Sequence, residues 1–138
     1  KAEKDFLDSL EAEPNQAYVI NYLAYSWIEK GTNIEQSLKM LEQANQLRSN
    51  DGYITDSLGW ALYKLKKYKR AKEFLKKAVQ LMPSDPIVND HFADILWMNG
   101  EKLQARYYWK YVLNLEEVED DLKDEILKKI LNGPVLFN

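Results

Sequence analysis

The sequence predicts an all-α chain built as an array of helix-turn-helix units, and three observations carry that prediction. First, small and apolar residues recur at a fixed interval. Leu58, Gly59, Leu62, Ala71, Leu75, Ala78 and Leu81 precede Phe92, Ala93, Leu96, Ala105, Trp109, Val112 and Leu115 by 34 residues each. A period of that length is the mark of stacked supersecondary units. Second, apolar residues within a unit are spaced by three and four, the helical period. Third, turn and cap signals fall between the stripes at each repeat.

Taken along the chain, residues 1–16 place Phe6, Ser9, Leu10 and Ala12 where the second helix of an earlier unit would carry them, with Pro14 closing it. Residues 17–51 form the first complete unit. Leu23 and Ala24 lie 35 residues before Leu58 and Gly59, whereas Leu41, Ala44 and Leu47 lie 34 before Leu75, Ala78 and Leu81. One extra residue therefore sits in the Gly31-Thr32-Asn33 turn, and Thr32 with Glu35 fits a capping box there. Residues 52–85 form the second unit, with Ile54, Leu58, Ala61, Leu62 and Leu65 as one stripe and Ala71, Phe74, Leu75, Ala78 and Leu81 as the next.

Gly59 stands inside a helix at a propensity cost of about 1 kcal/mol relative to alanine. Close crossing of two helices explains it, because a larger side chain would push the backbones apart. Residues 86–119 form the third unit, opened by Asp85-Pro86, a capping residue before a proline at the first helical position. Asn99-Gly100 ends its first helix. In residues 120–138, "DDLKDEILKKILNG" keeps helical spacing through Leu122, Ile126, Leu127 and Ile130, with aspartates at its start and Lys128 and Lys129 near its finish. It reads as a capping helix and tail.

Composition excludes several function classes. There is no cysteine, so no disulfide or thiolate metal site can form, and one histidine cannot build a zinc site. The net charge of −3 argues against general affinity for nucleic acid or anionic membrane. The longest apolar run, Ala17 to Ile28, is interrupted by Asn21 and Ser26 and falls short of the roughly 20 residues a membrane span needs. No phosphate-binding glycine loop, zinc-binding HExxH or nucleophile elbow is present, and no carboxylate pair stands at a catalytic spacing. The expectation is a protein that is not an enzyme and takes no cofactor or metal. His91, beside Asp90, reads as a hydrogen-bonded structural histidine. The basic run Lys64 to Lys77 and the acidic string Glu116 to Glu125 read as a solvated helix face and a polar turn. The chain begins "KAEKDF", without methionine or a hydrophobic leader, and is expected to be part of a longer protein whose targeting signal lies elsewhere, cytoplasmic or bacterial periplasmic.

The repeat resembles the tetratricopeptide repeat (TPR) family at its defining positions. The family's small residue at position eight matches Ala24, Gly59 and Ala93; that at position twenty matches Ser37, Ala71 and Ala105; that at position twenty-seven matches Ala44, Ala78 and Val112. The closing proline matches Pro14 and Pro83, and Ser49 and Glu117 depart from it. "LAYSW", "DSLGWALY" and "DHFADILW" further resemble the C-terminal part of longer proteobacterial members of the family.

The resemblance implies a right-handed superhelix of three repeats whose concave groove binds protein partners. Family positions two, five, nine, twelve and thirteen of each first helix usually line that groove. Here they are Tyr18, Asn21, Tyr25, Ile28 and Glu29, then Tyr53, Asp56, Trp60, Tyr63 and Lys64, then Ile87, Asp90, Asp94, Trp97 and Met98. Trp60 and Tyr25 are expected to anchor a partner. Asp56, Asp90 and Asp94 stand where family members that grip a terminal carboxylate carry cationic donors, so an acidic terminus should be repelled. The expected partner is a protein segment with apolar and basic residues, bound extended or as one helix. Two alternatives are a structural end segment that self-associates through its N-terminal face and an auxiliary domain of a larger protein.

Overall fold

A computed structural model describes residues 17–136, and the helix expected in residues 1–16, with any dimer face it would form, lies outside them. Seven helices and no strand occur among the described residues. They are α1 (Ala17–Lys30), α2 (Ile34–Leu47), α3 (Gly52–Lys64), α4 (Tyr68–Leu81), α5 (Pro86–Met98), α6 (Lys102–Leu113) and α7 (Asp120–Asn132). Successive pairs α1–α2, α3–α4 and α5–α6 pack as antiparallel hairpins. Each second helix also packs on the next first helix, and α1, α3 and α5 touch along the inner layer, so the chain winds as a right-handed α-solenoid closed by α7 on α6.

Local chemistry explains where the helices begin. The Asp51 carboxylate accepts hydrogen bonds from the Tyr53 and Ile54 amides at 3.0 and 3.1 Å, which caps α3. Asp85 accepts from the Val88 amide at 3.0 Å with Pro86 behind it, as the sequence predicts for α5. The capping box expected from Thr32 and Glu35 is absent. Asn33 is the N-cap of α2, in the left-handed region at φ 51°, and its side chain makes no capping bond. The extra residue accounts for this, because the turn spends two left-handed residues, Gly31 and Asn33, to reverse direction. The shorter turns use one each, Lys66 and Gly100, whose amides bond back to Tyr63 and Trp97 carbonyls.

The small positions sit at the tightest crossings. Ala24, Ala44, Ala71, Ala78, Ala93 and Ala105 are fully buried. At Gly59 a β-carbon would lie 2.7 Å from Leu75 Cγ and 3.2 Å from the Leu75 backbone nitrogen, so α3 and α4 cross at glycine distance. Around these contacts Leu41, Leu58, Leu62, Leu75, Phe92, Ile95, Trp109 and Ile126 form one continuous core.

Candidate inner-face site

The inner layer of α1, α3 and α5 carries every groove residue named from the sequence, but it does not expose them equally. Tyr18 and Tyr53 are open, 69 % and 59 % exposed. With Asn21, Tyr22, Tyr25, Asp56 and Asp85 they wall a cavity of about 590 Å³. A second cavity, about 670 Å³, is bounded by Tyr25, Glu29, Trp60, Tyr63, Lys64 and Asp94 on the solenoid and by Lys128, Lys129 and Val135 of the C-terminal segment.

Ile28 is the clearest departure. It is completely buried in the main core and lines neither cavity, because its place on α1 turns it toward the helix pair rather than the groove. Trp60 and Tyr63 border the second cavity yet are only 6 % and 4 % exposed. The Trp60 ring stacks on His91 at 3.8 Å and on Tyr63 at 4.6 Å, and its Nε1 donates to Glu29 at 3.2 Å. Lys64 Nζ lies 5.2 Å from the same ring. The free aromatic face expected of Trp60 is therefore spent inside the protein. Trp97 is half-buried against Trp109, with Lys102 and Arg106 over its ring, and the backbone at Gly133 presses onto it so closely that a β-carbon there would fall 2.4 Å from the indole.

The carboxylates are held internally as well. Both oxygens of Asp56 lie 3.0 Å from His91 Nδ1. Asp90 accepts from Trp109 Nε1 at 2.9 Å and from Lys129 Nζ at 3.0 and 3.1 Å. Lys129 also donates to Asp94 Oδ2 at 3.2 Å; Asp94 Oδ1 is 3.1 Å from the ammonium but receives no aligned hydrogen bond. An arrangement in which Asp90 and Asp94 face an incoming partner is thus corrected: one lysine of α7, 35 and 39 residues downstream, already occupies them.

Several buried groups titrate away from their ordinary values. Burial, then the neighbouring Asp90 charge, raises Asp94, with Lys129 and His91 opposing, to about 7. Burial pulls His91 down, but the Asp56 charge and hydrogen bond, with Asp90 and Asp94 behind, outweigh it and raise the imidazole above its usual range. Tyr25 is held well above the usual phenol range by burial first, then by Glu29, Asp56, Asp90 and Asp85. Among the described residues no cluster of three or more histidine, cysteine, aspartate or glutamate side chains could hold a metal, and no helix is long and apolar enough to cross a membrane.

His91 is the hydrogen-bonded structural histidine the sequence indicated, with Asp56 as its partner, but sequence reasoning missed Trp109 and Lys129 as partners of the acidic column. Their one signal was the column itself, since carboxylates on a wound inner wall need cations or donors nearby.

A repeating pair of helices, small residues at the crossings and a concave inner wall define a helical repeat scaffold. The sequence pattern described as "Tetratricopeptide repeat" matches residues 1–118, and the chain belongs to that family. A TPR repeat-containing protein of Pseudomonas aeruginosa is 31 % identical over 85 residues, 62 % of this chain and 14 % of that protein. The type IV pilus assembly protein PilF of the same organism is 27 % identical over 111 residues, 78 % of this chain and 43 % of PilF. The chain therefore spans less than half the length of these relatives. A thermophilic TPR protein of Thermus thermophilus superposes with a TM-score of 0.79 at 17 % identity, covering 94 % of this chain and 72 % of that one. The P. aeruginosa PilF structure gives 0.72 at 23 % identity, over 96 % and 61 %. These likenesses show the fold; the tetratricopeptide repeat family, to which the chain belongs, typically supplies non-enzymatic protein-binding scaffolds.

Proposed function

We propose that the chain, as three repeats over 17–51, 52–85 and 86–119 with 120–138 as cap, binds a protein segment along its inner face. The observation that supports this reading most is the column of open aromatic and apolar side chains at the second position of each first helix, Tyr18, Tyr53 and Ile87, all exposed and all bordering the same cavity. Large rings on a concave surface are apolar area that solvent contact leaves unsatisfied and that a partner can cover. The segment is an apolar one with lysine or arginine nearby, because carboxylates outnumber basic residues along the inner wall and repel an acidic chain. Affinity comes from Tyr18, Tyr53, Tyr25 and Ile87, while Trp60 and Tyr63 set the floor.

Selection of a displayed random-peptide library on the whole chain tests the reading. Enriched peptides should combine apolar and basic residues, and Tyr53→Ala should weaken them by on the order of 1–2 kcal/mol. Enrichment of acidic peptides, or binding indifferent to Tyr18→Ala and Tyr53→Ala together, would overturn it.

A further inference from the structure

The two inner-face cavities differ in one respect that charge makes decisive. The second carries cations of its own, Lys64, Lys128 and Lys129, set among Glu29, Asp90, Asp94 and Glu125. The first has Asp56 and Asp85 in its wall, and no lysine or arginine among its described lining residues. Four tyrosines make up much of the rest of its wall, beside Asn21, Ser26, Ser57, Ile87 and Val88. Tyr18, Tyr22 and Tyr25 fall at i, i+4 and i+7 on one face of α1, and Tyr53 closes the cavity from α3.

We propose that this tyrosine-walled cavity is a subsite for a cationic side chain, arginine above all, of a bound protein segment. The inference rests on the inner-face reading and names the residue that reading leaves unplaced, since Lys129 already fills the acidic pair Asp90 and Asp94. Aromatic faces attract cations through their ring quadrupoles, and the planar, weakly hydrated guanidinium stacks on rings where an ammonium cannot. Charge agrees in sign: after burial and Glu29, the charges of Asp56, itself paired with His91, and of Asp85 help hold the Tyr25 hydroxyl in its neutral form, so the carboxylates at this wall oppose negative charge there and favour positive charge. Asn21 adds an acceptor, its Oδ1 without a hydrogen-bond partner among the described residues. The volume of about 590 Å³ also leaves room for the stem of the side chain and its flanking backbone.

The test titrates the whole chain with N-acetyl-arginine methylamide and, separately, with its neutral isostere N-acetyl-citrulline methylamide, following tyrosine ring signals by nuclear magnetic resonance. The arginine probe should saturate shifts at Tyr18, Tyr22 and Tyr53 in the millimolar range, with citrulline at least about fivefold weaker. Tyr53→Ala and Tyr18→Ala, both at exposed rings, should each reduce the arginine response while leaving remote signals in place. Equal response to both probes, no response to arginine at these rings, or insensitivity to both variants would overturn the subsite. None of those results would touch the wider groove reading, which the peptide selection judges independently.

Discussion

At the scale of single residues, Gly59 shows how a local rule is broken for a tertiary reason. The helix tolerates a glycine because Leu75 of α4 stands where the first side-chain carbon would go. Gly59→Leu should therefore destabilise the fold by roughly 1–3 kcal/mol in chemical denaturation, through overpacking; a neutral result would misplace the closest crossing. Ser37 makes the opposite case. It is fully buried at a position where the other repeats carry Ala71 and Ala105, and its hydroxyl has no hydrogen-bond partner among the described residues. Ser37→Ala should stabilise the protein by about 1 kcal/mol, since a buried hydroxyl without a partner keeps its desolvation cost. Loss of stability on that change would reveal a bond to the hydroxyl that the geometry does not contain. Both positions were legible in the sequence as small residues in a periodic slot. What periodicity could not show was accessibility. Ile28 and Tyr53 both count as groove positions, yet Ile28, like its counterpart Tyr63 at the twelfth position, is buried, whereas Tyr53, like Tyr18 at the second, is open.

At the scale of elements, α7 does more than cover an apolar end. It delivers Lys129 to a buried pair of carboxylates on α5, while Ile126 seats in the core beneath. Lys129→Met should cost about 3–5 kcal/mol, as removal of one partner leaves buried charges facing each other. A loss below about 1 kcal/mol would show that the ammonium is dispensable. The same cluster sets a pH dependence. Asp94 and His91 both have folded-state values above their ordinary ones, so the folded protein holds protons that the unfolded chain has released. The Asp94 contribution is complete below about pH 4 and is lost as pH rises through about 7; that of His91 is complete below about 6.5 and is lost above it. Stability should therefore fall from about pH 5 to 8, by at most about 1.4 kcal/mol per unit for each group, and Asp94→Asn should flatten the profile. A stability that climbs over that range would contradict the assignment. The sequence made α7 visible as a helix through its own spacing and charges. Its role stayed hidden because Lys129 and its acceptors are 35 and 39 residues apart, and only the superhelical winding brings them together.

At the scale of the whole molecule, a solenoid has two long surfaces, and they differ in what they present. The outer second helices carry exposed Lys69, Arg70 and Lys76, whereas the inner first helices carry the open tyrosines and the cavities. The period placed the helices in pairs, while the choice of inward positions came from the resemblance to the repeat family. The proposed function places binding on the inner face. The most direct measurement is a backbone amide shift map of the whole chain titrated with a peptide from the library selection. The predicted result is a continuous footprint over α1, α3 and α5 around Tyr18, Tyr25, Tyr53 and Ile87. A footprint centred instead on α4 and α6, around Lys69, Lys76 and Tyr107, would contradict it.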